Sequence, residues 1–255
     1  MAVWALLGFV ASALASSSPA ADVAAETAVG SGAEATASPR GVPIASPAPS
    51  RAPAGSVHTD VPESPDPHRF HVIYLHGRII EHAGPRPTDP RFGLYDYPAV
   101  LDALAARGAT VVSAQRAPNT DMDAYAGVVV AQVERLIERG VAPDRIVVVG
   151  FSKGGGIAVR VSSFLRRPEV RFVLLAACVD GPVPPNLRLT GHVLSVVEES
   201  DTIAGSCRPL AESVPRPQSF TELLIATGKL HGAFYRPNPE WVEPLLDWVE
   251  GRLQR

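Results

Sequence analysis

The chain has 255 residues, with 23 Lys and Arg against 26 Asp and Glu and a formal net charge of −3. It carries no basic field, which argues against nucleic acid as its main partner. Its two cysteines permit at most one disulfide, and no Cys/His spacing suggests a metal site.

Residues 1–15 are apolar and close on the small-x-small triplet Ala13-Leu14-Ala15, the pattern of a secretory signal peptide and its cleavage site. The run is shorter than the roughly 18 apolar residues of a membrane span, so no stable span is expected. It departs from the pattern in one respect, since no Lys or Arg precedes it. Residues 16–67 are rich in Ala, Ser, Pro and Gly and nearly free of large apolar side chains. Such a segment buries too little surface to offset its ordering entropy and reads as a disordered tether. A single folded domain is expected over residues 68–255. An exported chain permits a Cys178–Cys207 bridge; the alternative is two buried free thiols.

From residue 69 onward strand-like and helix-like segments alternate. Phe70-His71-Val72-Ile73-Tyr74-Leu75 is a short apolar run that ends at His76-Gly77. Residues 97–107 have helical spacing, with Val100, Leu101, Leu104 and Ala105 on one face and Gly108 as the stop. Thr110-Val111-Val112-Ser113 is the next strand. Thr120-Asp121-Met122-Asp123 has capping-box spacing and predicts a helix whose inner face uses Val129, Val133, Leu136 and Ile137. Pro143-Asp144-Arg145 then turns the chain into Ile146-Val147-Val148-Val149 and the pentapeptide Gly150-Phe151-Ser152-Lys153-Gly154. A helix is expected over 155–165, then strands over 172–177, 192–197 and 220–225. An amphipathic helix over 239–253 closes the chain, with Pro244 expected to start its regular part.

Apolar strands separated by helices imply a parallel sheet covered on both faces, with reacting groups at the carboxyl ends of the strands. Ser152 stands in Gly-x-Ser-x-Gly between a strand and a helix. There a sharp turn lifts its hydroxyl clear of the sheet, and the next backbone N–H can face a developing oxyanion. A serine hydroxyl becomes a nucleophile when a base removes its proton and a carboxylate orients that base. Of the seven histidines, His231 follows the last strand in a glycine-flanked loop and is the expected base. His82 is a modest competitor, while His58, His68, His71 and His192 are misplaced. Asp201, a few residues past the 192–197 strand, is the expected acid, with Asp180 its competitor. Glu198 and Glu199 come too early and are read as capping or solvent-facing. The two oxyanion donors are expected to be the N–H groups of Lys153 and of Arg78, with Ile79 as second choice. His76 is read as structural. The cationic side chains of Arg78 and Lys153 suggest a preference for an acidic substrate.

These residues resemble the α/β-hydrolase superfamily, the serine esterases and lipases related to dienelactone hydrolases. The resemblance covers residues 68–255 and rests on His76-Gly77, the Gly150-to-Gly154 elbow, Asp201 and His231. It implies a Ser152–His231–Asp201 triad, an acyl-enzyme hydrolysed by water, a small-molecule ester as substrate and no cofactor. Thioester cleavage or acyl transfer would use the same triad. A catalytically silent binding protein of this fold would normally lack a triad member. The expected architecture is a single α/β domain, a mostly parallel sheet of about six strands with helices on both faces. The first strands of the usual sheet are missing from it. The short, Pro-rich connection over residues 179–190 leaves no room for a cap domain, so the site is expected to be open, with residues 78–96 as a partial lid. On this topology a Cys178–Cys207 bridge would pin the acid's loop to the neighbouring strand end.

Overall fold

The structure is a computed structural model and describes residues 54–179 and 181–253. The signal peptide expected over residues 1–15 and the competing acid Asp180 lie outside the described residues. The chain runs β1 (Ser56–His58), β2 (His71–Leu75), α1 (Arg78–Ala83), β3 (Thr88–Asp89), β4 (Gly93–Leu94), α2 (Tyr97–Ala105) and β5 (Thr110–Val112). It continues through α3 (Met122–Glu138), β6 (Ile146–Phe151), α4 (Lys153–Leu165), β7 (Arg171–Leu175), β8 (His192–Glu198), α5 (Arg208–Ala211), β9 (Ser219–Ile225) and α6 (Pro239–Val249).

Seven strands form one sheet in the order β1-β5-β2-β6-β7-β8-β9, every neighbouring pair parallel. β2 and β6 are buried along their whole length, which is why both read as unbroken apolar runs rather than as alternation. Val147, Val149 and Phe151 of β6 point into a core shared with Leu101 and Leu104 of α2 and Trp241 and Leu245 of α6. Ile146 and Val148 point to the other face, against Val133 and Leu136 of α3 and Ile157 and Val161 of α4. Successive side chains alternate between sheet faces, so one apolar strand serves both layers. Among the described residues no helix is long and apolar enough to cross a membrane.

The mostly parallel sheet of about six strands is as expected. Other expectations are corrected. The seventh strand is β1, which lies inside the segment read as tether over residues 16–67. Ser56 and His58 pair with Thr110 and Val112, and Asp60 accepts hydrogen bonds from Gln132 (2.9 Å) and Arg135 (2.7 Å) of α3. Backbone pairing at a sheet edge and one ion pair hold this stretch, so its lack of large apolar residues gave no sign of order. The cap of α3 is Asp121, which accepts from the Ala124 N–H at 2.8 Å, whereas the Thr120 hydroxyl donates to the Ala117 carbonyl. α6 starts at Pro239 and runs through Pro244, because Pro239 suits the first helical position and Trp241, before Pro244, is fully buried.

The connection from β2 leads across α1 and α2 to β5 on one side, and the connection from β6 leads through α4 to β7 on the other. The chain therefore departs in opposite directions from the carboxyl ends of two adjacent strands, which leaves a crevice between them. Arg78 follows β2 and Ser152 follows β6, one on each side of that crevice.

Candidate active site

Ser152 sits at φ 53° and ψ −117° between β6 and α4, a conformation that non-glycine residues rarely adopt. Its N–H bonds the Leu175 carbonyl at 3.0 Å, and its own carbonyl accepts the Gly156 N–H at 2.9 Å. The turn can be this tight only with glycine on either side. A Cβ on Gly150 would stand 2.3 Å from the Gly154 oxygen, and one on Gly154 would stand 1.9 Å from the Leu75 oxygen.

His231 lies in a 3₁₀ turn, Leu230–Phe234, after β9. Its Nε2 is 2.9 Å from Ser152 Oγ and its Nδ1 is 2.7 Å from Asp201 Oδ2. A carboxylate can only accept, so it selects the Nδ1–H tautomer and leaves Nε2 to accept the serine proton. The Asp201 side chain is fully buried, and its Oδ1 accepts the Ile203 N–H at 2.8 Å. Phe151 and Phe92 flank the imidazole, with ring centroids 5.0 and 5.9 Å away.

The sequence reading missed the role of Glu198. It is buried at the end of β8 and accepts from the hydroxyls of Ser200 and Thr227, both at 2.7 Å, and from the N–H groups of Thr227 (3.0 Å) and Gly228 (3.1 Å). Ser200 Oγ in turn accepts the Leu230 N–H at 3.1 Å. Glu198 thus ties the strand that leads to Asp201 onto the loop that carries His231. Burial raises its pKa, but these hydrogen bonds together outweigh burial and hold it below the ordinary 4.5.

A second buried network lies under the other side of the site. Lys153 Nζ donates to Glu81 Oε2 at 2.7 Å, and Arg116 Nε donates to Glu81 Oε1 at 2.9 Å. Arg116 also donates from Nη2 to the His76 carbonyl, and its N–H donates to His76 Nε2 at 2.9 Å. That leaves the Nδ1–H of His76 to donate to the Gly77 carbonyl at 2.8 Å, the structural role read for it. Burial, and next the charge of Arg116, hold the His76 pKa down to about 4. The chain of bonds runs from Lys153 to the His76-Gly77 loop that leads into α1. Lys153 and Arg78 are the first residues of α4 and α1, so neither backbone N–H has an acceptor within its helix. The Lys153 side chain is spent on Glu81, which corrects its reading as a free cation for an acidic substrate; the Arg78 side chain is exposed.

Arg78, Ser152, Lys153 and His231 line an open cleft of about 690 Å³, together with Met122, Ala177 and Ile203; Ile79 does not line it. His82 is exposed on α1 and is not part of the cleft. Of the segment 78–96 expected as a partial lid, Arg78 lines the cleft and the end is packed against the core. Tyr95 is fully buried and stacks on Tyr235 at 4.7 Å, and the Asp96 N–H bonds the Tyr235 carbonyl at 2.9 Å. Cys178 and Cys207 form a disulfide with a Cα–Cα distance of 5.2 Å, and the Cys178 carbonyl accepts the Gly205 N–H at 2.9 Å. The loop after Asp201 is thereby fastened to the segment that follows β7.

No family model matches this chain, and no curated protein does. Among solved structures it is similar to Arabidopsis thaliana SOBER1, with 13% identity, a TM-score of 0.49, and coverage of 73% of this chain and 100% of that one. A single-substitution variant of SOBER1 matches at 13% identity and a TM-score of 0.47, over 72% of this chain and 100% of that one. Both likenesses are loose. The α/β-hydrolase fold is carried instead by this chain's own parallel strand order and by its strained serine turn. Neither comparison singles out the dienelactone-hydrolase branch.

Proposed function

We propose that this α/β-hydrolase-fold chain is a serine hydrolase that cleaves carboxylic esters and is exported. The observation that carries the reading is the continuous hydrogen-bonded series Ser152 Oγ–His231–Asp201, with separations of 2.9 and 2.7 Å, at the mouth of an open cleft. In this reading His231 Nε2 takes the Ser152 proton as Oγ attacks the ester carbonyl carbon. The carbonyl electron pair moves onto oxygen, where the N–H groups of Lys153 and Arg78 receive it. The buried Asp201 carboxylate stabilises the imidazolium that forms. As the tetrahedral carbon collapses, the C–O bond to the alcohol breaks and the leaving oxygen takes the proton from His231. Water then repeats the sequence on the acyl-enzyme, which releases the acid and restores Ser152.

The Glu81–Lys153 pair and the Arg116 contacts to His76 support fixed positions for both donors, because they link α4 to the loop before α1. The disulfide supports export, since such bonds persist where thiols are oxidised. The test is a fluorophosphonate probe with a panel of p-nitrophenyl esters. Ser152→Ala should abolish both labelling and hydrolysis. Folded wild-type protein that neither labels nor cleaves any ester of the panel would favour a binding protein instead.

A further inference from the structure

Three consecutive glycines follow Lys153 in the first turn of α4, and only two of them are barred from a side chain by a close backbone or fixed Cβ contact. A Cβ on Gly154 would meet the Leu75 oxygen at 1.9 Å, and one on Gly155 would meet the Ala177 Cβ at 2.4 Å. Gly156 differs. A Cβ there would come no closer than 3.3 Å to Met122 Sδ, at the movable part of a flexible side chain, and 3.8 Å to Arg160 Nη1. Glycine is the poorest helix former after proline, so a glycine whose Cβ would press only on the flexible Met122 side chain, and on no backbone, calls for another reason.

Its position supplies one. Gly156 lies where two cavities meet, the cleft of Ser152 and a second cavity of about 330 Å³. They share Gly156, Arg160, Ala177 and Val179. The second cavity is lined by Val159, Leu187 and Leu210, which belong to the buried core, and by prolines of the loop after β7. Among the described residues Arg160 is the one charged residue that lines it, and its guanidinium is occupied by Asp123 (2.7 Å) and the Gly156 carbonyl (3.0 Å). At the junction Ala177 and Val179 are apolar and Val179 is 71% exposed, while Ile203, 41% exposed, lines the cleft beside polar Asn119, Thr120 and Asp121. Cys178, bonded to Cys207, forms part of the wall.

We propose that this cavity is a binding subsite for an unbranched aliphatic chain of the substrate, which reaches it from Ser152 by crossing Gly156. The inference rests on the serine-hydrolase reading and narrows the substrate class to esters that carry a chain of several carbons. Each methylene drawn out of water should raise kcat/KM about fourfold until the cavity is filled.

Two substrate series distinguish which part of the ester supplies the chain: p-nitrophenyl alkanoates from acetate to dodecanoate, and acetates of alcohols of increasing length. One series should show a rise in kcat/KM followed by a plateau. Gly156→Leu, which places a side chain on the threshold, should reduce the preference for the longer ester at least tenfold. Gly156→Ala should melt at or above the wild-type temperature, which separates blockage from misfolding. Val183→Trp fills the cavity from the loop side without touching α4 and should have the same effect as the leucine. Flat profiles in both series would overturn the proposal, as would an equal loss for acetyl and octanoyl esters in both bulky variants.

Binding of octanoate to the Ser152→Ala protein, followed by calorimetry, tests the cavity without catalysis. Binding that disappears on adding Gly156→Leu supports the subsite even if no ester is cleaved. Failure to bind, in an enzyme that hydrolyses esters regardless of length, refutes the subsite alone.

Discussion

Glu81 is the residue whose loss should separate positioning from stability. Its carboxylate is fully buried between Lys153 and a fully buried Arg116 guanidinium. Glu81→Gln removes the charge both cations face and leaves Arg116 in the interior without a counter-ion, which should destabilise the fold by about 3–5 kcal/mol. The kinetic effect is separate. With the tie between α4 and α1 loosened, a shift of about 1 Å in either oxyanion donor lowers kcat by about 10²-fold, or roughly 2.7 kcal/mol. Outright loss of one donor, about 10²–10³-fold, sets the ceiling. The expected result is therefore a fall in kcat of about 10–100-fold with KM nearly unchanged, because the donors act on the transition state rather than on ground-state binding. The assay is steady-state hydrolysis of p-nitrophenyl acetate, run beside thermal melting. Lys153→Arg on its own, which keeps the ion pair with Glu81, should retain most of the wild-type rate. An apolar replacement, Glu81→Leu with Arg116→Met, should regain stability without the hydrogen-bonded tie. If that double variant melts like wild type and also turns over like wild type, the network has no positioning role.

Other expectations follow from the same geometry. Asp201→Asn retains the shape of the loop but removes the acceptor that selects the His231 tautomer; kcat should fall by about 10³–10⁴-fold with the melting temperature little changed. A loss below about tenfold would point to another acid. Reduction of Cys178–Cys207, a bridge spanning 29 residues, should destabilise the chain by at most about 3–4 kcal/mol. The unreduced protein, denatured, should titrate no free thiol. His76 titrates at about 4 when folded against 6.5 for the ordinary side chain. The unfolded chain therefore takes up this proton first as pH falls. The stability is complete above about pH 6.5 and declines toward pH 4, by up to about 3 kcal/mol. Denaturant midpoints at pH 7 and pH 4.5 measure this decline, and an identical decline in His76→Gln would assign it elsewhere.

The serine turn and the order of its partners were legible in the chain because each depends on local pattern. Gly150 and Gly154 flank Ser152 in sequence as in space, an apolar run announces β6, and His231 stands in a glycine-flanked loop after the last strand. What brought Asp201 forward was its distance past β8, and the contact at 2.7 Å is made through a loop held by Glu198 and the disulfide. Glu198 itself looked like one of two neighbouring acids at a strand end. Its bonds to Thr227 and Gly228 link residues about thirty positions apart, and a charge does not announce its partner.

The sequence by itself determined the parallel α/β layering, the strained serine and the loops on which its partners stand, because hydrophobic period and turn chemistry act between near neighbours. Only the tertiary structure decided that Ser56–His58 completes the sheet, that Lys153 spends its charge on Glu81, and that Tyr95 stacks on Tyr235. The same holds for Gly156, which looks like its two neighbours in the chain and differs from them only in the space above its Cα. Those outcomes depend on which distant groups share one desolvated volume, and that is settled when the layers pack.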